Sequence, residues 1–159
     1  MNTQLDVLNI LIDRKETISF AESCTGGLCA STLVMIPNAS WVLNESYVTY
    51  AVSSKIRILG VLKETVDRYT VVSEEVAREM ALGVQRLANC SVGVSVTGYA
   101  GPLGGDEKNP VGTVCFGICY HDKCYTYREV FSNMDRASVI SSAVSYIYNK
   151  IKEVLLYED

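Results

Sequence analysis

The stretch Ile18-Ser-Phe-Ala-Glu-Ser-Cys-Thr-Gly-Gly-Leu-Cys-Ala-Ser31 decides the fold. An alternating run, Thr17 to Ala21, reads as a strand and ends in small polar residues. Gly26 to Met35 then reads as a helix, closed by Pro37 and Asn38. A strand running straight into a helix is half of an α/β unit. The same grammar recurs downstream. Tyr47 to Val52 is rich in β-branched and aromatic residues and reads as a second strand. Ser53 and Ser54 offer N-caps for a short helix that Gly60 ends. Ser73 caps a longer helix to about Ala88, with Glu74 and Glu75 in its first turn. In Ser91 to Gly98, Val92, Val94 and Val96 share one face and Gly93, Ser95 and Thr97 the other. That small face lets a helix or a ligand come close.

A glycine-rich loop spans Tyr99 to Asn109. Gly112 to Tyr120 and Cys124 to Phe131 flank the turn His121-Asp122-Lys123 and read as an antiparallel hairpin. Helices at both ends complete the pattern. Leu5, Leu8, Leu11 and Ile12 make a short amphipathic one. Ile140, Ala143, Val144, Ile147, Ile151, Val154 and Leu155 make a long one. Alternating strands and helices followed by a hairpin predict a three-layer α/β/α sandwich on a mixed, mostly parallel sheet, one domain over residues 1–159.

Composition bounds the function classes. The chain has 159 residues, 48% apolar and 20% charged, with a formal charge of −4. A chain of this size buries about 70% of its unfolded surface. There is no Lys/Arg block for a nucleic acid and no apolar run of the ~18 residues that a membrane span needs. The N-terminus lacks a signal pattern, so the cytoplasm is the expected compartment. The six cysteines are read as free thiols behaving as small hydrophobes, and their spacing suits no zinc site.

Ligands of open α/β sheets bind beyond the carboxyl ends of the strands. Three polar clusters fall there: Glu22 to Gly27, Ser53 to Lys55, and Thr97-Gly98 with the glycine loop. Ser23 is a nucleophile, a helix cap or one wall of an anion nest. The Gly26-Gly27 pair at a helix start offers backbone N–H groups to a phosphate or an oxyanion. A serine nucleophile needs a base. The only histidine, His121, sits at the far end of the fourth strand, which leaves a serine–lysine arrangement; Lys55 is its candidate base, or else a solvated lysine at a helix start. Such a lysine works only when neutral, so burial or a helix N-terminus must depress its pKa. Cys24 is a rival nucleophile, but neighbours on a strand point opposite ways.

Together the strings Ala21-Glu-Ser-Cys-Thr-Gly-Gly27, Val96-Thr-Gly-Tyr-Ala-Gly-Pro-Leu-Gly-Gly105 and Asn109-Pro-Val-Gly-Thr-Val114 resemble the CinA C-terminal domain family, the nicotinamide-nucleotide amidases. The resemblance runs from about Ile18 to Arg136. It implies a three-layer α/β/α fold and hydrolysis of nicotinamide mononucleotide to nicotinate mononucleotide and ammonia, with no metal or cofactor. It implies Ser23 as nucleophile and Lys55 as base, with Tyr50 and Thr97 orienting the lysine or the substrate. Thr25, Gly26 and Gly27 (or the Thr97 turn) would receive the oxyanion. Ser40, Gly101, Gly104, Gly105 and Arg136 would hold the nucleotide. It further implies a small-molecule nucleotide as partner and a homo-oligomer, dimer or higher, covering Tyr125 and Tyr127.

The chain departs from the family's usual strings. Y-S-N-E-A-K is here Tyr50-Ala-Val-Ser-Ser-Lys55. A-G-P-D-G-G is Ala100-Gly-Pro-Leu-Gly-Gly105, which loses an acid. Arg136 is displaced by one residue. The alternative is therefore a catalytically weak, inactive or regulatory nucleotide-binding member of the same family.

Overall fold

A computed structural model describes residues 2–157. Six α-helices and five strands follow in the order α1 (Thr3–Arg14), β1 (Ile18–Glu22), α2 (Leu28–Val34), β2 (Tyr47–Val48), α3 (Val52–Leu59), α4 (Lys63–Tyr69), α5 (Glu74–Ala88), β3 (Val92–Gly98), β4 (Thr113–Tyr120), β5 (Lys123–Val130) and α6 (Arg136–Tyr157). The sheet order is β2-β1-β3-β4-β5. β1 pairs in parallel with β2 and β3, and β4 is antiparallel to both its neighbours. Four of the five strands therefore point one way. α1, α2 and α6 cover one face; α5, with α3 and α4 against it, covers the other. The three-layer sandwich expected from the sequence is what forms. No helix among the described residues is long and apolar enough to cross a membrane.

Alternation along β1 assigns its side chains to the two layers. Ile18 and Phe20 enter the core shared with α1, α2 and α6. Ala21 enters the smaller core of Leu59, Val76, Met80 and Val84 on the α5 side. β3 behaves likewise: Val92, Val94 and Val96 join the α6-side core. Its small face receives α5, not a ligand. A Cβ on Gly93 would stand 2.3 Å from Ala81 O, and one on Gly117 of β4 would stand 2.5 Å from Ala77 O. Between them the Ser95 hydroxyl donates to Ala77 O at 2.5 Å.

Several expectations need correction. β2 stops at Val48 instead of running to Val52. The helix after it starts at Val52 with Ala51 in the cap position, so Ser53 and Ser54 lie inside its first turn. Ser73 does cap α5, accepting from Val76 N at 3.2 Å. α2 starts two residues late, because Gly26 and Gly27 take positive φ of 58° and 105° and form the turn before it. α4 and a short 3-10 turn at Ala39–Trp41 were not foreseen. Nor are all six cysteines free: Cys119 and Cys124 form a disulfide, and Cys24, Cys29, Cys90 and Cys115 remain thiols. The hairpin turns on His121 and Asp122 alone, with Tyr120 opposite Lys123. That register sets Cys119 directly opposite Cys124, their Cα atoms 4.0 Å apart. A bonded pair is the habit of oxidising compartments, so cysteine usage no longer points to the cytoplasm.

Candidate active site

β1, β2, β3 and β5 all end at the same edge of the sheet, and the residues that follow them converge on one cavity of about 250 Å³. Ser23 comes from β1, Tyr50 and Lys55 from the segment after β2, Thr97 to Ala100 from the end of β3, and Arg136 from the start of α6.

Ser23 continues the β1–β3 ladder, its N–H donating to Val96 O at 3.0 Å. One step of alternation past Glu22 turns its side chain to the α3 and α5 side. There it meets Lys55. The Lys55 Nζ stands 3.0 Å from Ser23 Oγ, 2.6 Å from Thr49 O and 3.1 Å from Tyr50 O. Those two carbonyls explain why β2 ends early: they turn inward to the lysine instead of extending the sheet. Lys55 is 1% exposed. Among the described residues no carboxylate meets its amine, and burial pulls its pKa down from 10.5 to about 8. A neutral amine has two N–H donors and one lone pair. Carbonyl oxygens can only accept, so Thr49 O and Tyr50 O take the two N–H groups. The lone pair is left to the one contact that can donate, the Ser23 hydroxyl.

Cys24 also lines the cavity. Burial pushes its thiol up to about 12, so it is protonated at neutral pH and is no thiolate nucleophile.

The mouth is framed by Arg136. Its Nη2 donates to the Tyr50 hydroxyl at 2.9 Å and its Nη1 to Gly101 O at 2.6 Å. The one-residue displacement of this arginine in the sequence does not take it from the site. The Thr97 hydroxyl donates to Val71 O at 3.2 Å, tying the end of β3 to the segment before α5. Leu103, where the family's acid is missing, also lines the cavity and is 85% exposed.

Other residues expected at the site lie outside the cavity lining. Ser40 lines a separate hollow beside Pro37 and Leu43. Gly104 and Gly105 lie further along the loop. Thr25, Gly26 and Gly27 form the turn behind Ser23, and their surroundings explain why. The Gly26 N–H donates to Ser23 O at 3.0 Å. The Thr25 hydroxyl, Cys29 N–H and Ala30 N–H donate to the Glu22 carboxylate at 2.6, 2.8 and 3.1 Å. The start of α2 is thus filled by the chain's own acid.

Sequence reasoning placed Glu22 in the cluster but gave it no part. It also passed over the carbonyls of Thr49 and Tyr50. Alternation was the available signal for Glu22, since a residue next to an inward Ser23 must face the opposite layer.

The profile of the CinA C-terminal domain matches residues 2–155. A CinA-like protein of Petrotoga mobilis is 40% identical over 152 residues, which are 96% of this chain and 38% of that protein. The chain thus spans well under half of that relative. The crystal structure of competence damage-inducible protein A from Klebsiella pneumoniae superposes with a TM-score of 0.95 at 32% identity, covering 99% of this chain and 97% of that one. A CinA superfamily protein of Escherichia coli gives a TM-score of 0.91 at 34% identity, with coverage of 98% and 88%. Agreement of sequence, fold and strand-end motifs over nearly the whole length places the chain in the CinA C-terminal domain family.

Proposed function

We propose that the chain is an amidohydrolase that converts nicotinamide mononucleotide and water to nicotinate mononucleotide and ammonia, with Ser23 as nucleophile and Lys55 as base. The observation that carries this reading is the buried Lys55 amine, 3.0 Å from the Ser23 hydroxyl at the wall of a cavity.

Lys55 takes the Ser23 proton while Oγ bonds to the amide carbon, which gives a tetrahedral oxyanion. The new ammonium, formed 3.0 Å from Oγ, puts a positive charge beside the reacting centre. It then gives its proton to the departing nitrogen; the C–N bond breaks, ammonia leaves and an ester on Ser23 remains. Water attacks the ester, Lys55 takes the water's proton, and it returns that proton to Oγ as the C–Oγ bond breaks. No redox partner is needed. Arg136 spends two of its five N–H donors on Tyr50 and Gly101, which leaves three for a phosphate at the mouth. Tyr50 orients Arg136, and Thr97 holds the floor beneath the substrate. The partner in this reading is a small-molecule nucleotide. In this reading the chain also assembles as a homo-oligomer, a state that light scattering measures.

Ammonia release from nicotinamide mononucleotide tests the reaction. Ser23→Ala is expected to lose at least ~10³-fold in kcat, the scale of removing a nucleophile. Cys24→Ala is expected to stay within about threefold of the parent, on the same scale of reading mutant kinetics. Full activity in Ser23→Ala would overturn the assignment.

A further inference from the structure

Glu22 is 1% exposed, ends β1, and immediately precedes Ser23. Both of its carboxylate oxygens are used. Oε1 accepts from the Thr25 hydroxyl at 2.6 Å and the Cys29 N–H at 2.8 Å, and Oε2 accepts from the Ala30 N–H at 3.1 Å. None of these partners is a cation. The donors are one hydroxyl in the turn after Ser23 and two amides in the first turn of α2. Glu22's own backbone carbonyl accepts from Thr49 N–H at 2.8 Å. Thr49 in turn offers its carbonyl to Lys55 Nζ at 2.6 Å.

One residue thus grips both halves of the Ser23–Lys55 pair. Its side chain fixes the turn that carries the hydroxyl, and its main chain fixes the strand end that carries the lysine's acceptor. Alternation explains how this is done without entering the cavity. Ser23 faces α3, and Glu22 faces α2 on the opposite side of the sheet. A surface cap would leave the turn free to relax. A buried carboxylate with three donors does not, because each unmade bond leaves a polar group out of water.

We infer that Glu22 is a positioning residue for the Ser23 nucleophile, acting through the Thr25 turn and the α2 amides and never touching substrate. The inference rests on the serine-nucleophile reading above. It also removes a site: the α2 N-terminus is occupied from within, so a substrate phosphate or oxyanion is held elsewhere.

The test separates Glu22 from the choice of substrate. A fluorophosphonate reacts with an activated serine whatever the natural substrate is, so its labelling rate at Ser23 reads the nucleophile alone. Glu22→Gln keeps the shape but offers an NH2 group to a neighbouring N–H. It is expected to slow labelling at least tenfold and to lower kcat on nicotinamide mononucleotide by a similar factor. The KM should stay within twofold, and the pH at which Lys55 deprotonates should not move. Rates are taken well below the melting temperature and per folded molecule, where a purely stabilising role would leave them unchanged. Thr25→Val removes one donor and is the milder variant should Glu22→Gln fail to fold; it is expected to slow labelling at least threefold. Glu22→Asp, one methylene short, should recover part of the rate. A labelling rate within twofold of the parent in both Glu22→Gln and Thr25→Val overturns the inference, as does a raised KM with kcat unchanged. Absence of Ser23 labelling in the parent overturns both this inference and the serine mechanism. Labelling without turnover of nicotinamide mononucleotide retires that substrate only, and the Glu22 comparison is then decided by labelling.

Discussion

Lys55 shows what a buried base costs the fold that holds it. Its native pKa of about 8 lies below the ordinary 10.5 because burial penalises the ammonium. Between those values the unfolded chain carries the proton and the native chain does not. Native stability therefore rises with pH from about 8 to 10.5, and below 8 the whole penalty is present, on the order of 3 kcal/mol. Lys55→Met removes this titration. Denaturant unfolding of parent and variant at pH 7 and pH 10 should show the parent gaining a few kcal/mol on the variant as pH rises. A gap that stays flat would mean that the amine is not buried as described. In the parent, kcat/KM should climb to a plateau above about pH 8, the side on which Lys55 is neutral. Little of this was legible in the sequence by itself. The distance of His121 from Ser23 made Lys55 a candidate, but a lysine at a helix start is ordinarily solvated, and only the family resemblance gave it the role of base. The two carbonyls that orient it belong to Thr49 and Tyr50, and main-chain direction leaves no trace in residue type.

At the scale of elements, composition carried more. Gly93, Ser95 and Thr97 on one face of β3 announced a close approach, but not what approaches. The answer is the backbone of α5, against both β3 and β4. Gly93→Ala would drive a methyl to 2.3 Å from Ala81 O and 2.6 Å from the Gln85 Cβ. Backbone cannot yield as a side-chain end can, so the helix must lift. The expected loss is about 2–3 kcal/mol, the upper range for overpacking, read as a fall in Tm. Gly26, in the turn before α2, is the control, since it has open space around its Cβ position and only its φ of 58° to strain. The elements missed have a common cause. α4 is seven residues with none buried, so no apolar stripe marks it. β2 has two residues in register, and the rest of its β-rich string serves Lys55. Tyr127 lies on the edge strand β5, as expected, and packs against Tyr146 and under Lys150 of α6. A strand-length pattern records side-chain preference, and tertiary demand on the backbone overrides it.

For the whole molecule, the direction of the strands sets what is near the chemistry and what is far from it. Four strands deliver their carboxyl ends to the cavity edge. The β4–β5 turn at His121 and Asp122 must therefore lie at the opposite edge, and with it the Cys119–Cys124 bond. Element order alone predicted the convergence of the strand-end clusters. It did not predict the disulfide, because a turn read one residue too long, through Lys123, shifts the register and separates the two cysteines. Topology makes the bond a stability element with no part in turnover. It closes a ring of only a few residues, and the chain-entropy account gives about 2 kcal/mol for such a ring. In a domain of this size that is a Tm change of about 4–8 °C at most. The paired substitution Cys119→Ala with Cys124→Ser should lower Tm within that bound and leave kcat/KM for amide hydrolysis within twofold at temperatures below unfolding. A drop in turnover without a drop in Tm would mean that the far edge communicates with the cavity. One route is Gln85 of α5, whose side-chain amide nitrogen lies 3.1, 3.2 and 2.9 Å from Ser91 O, Cys119 O and His121 O and shares its two hydrogens among them.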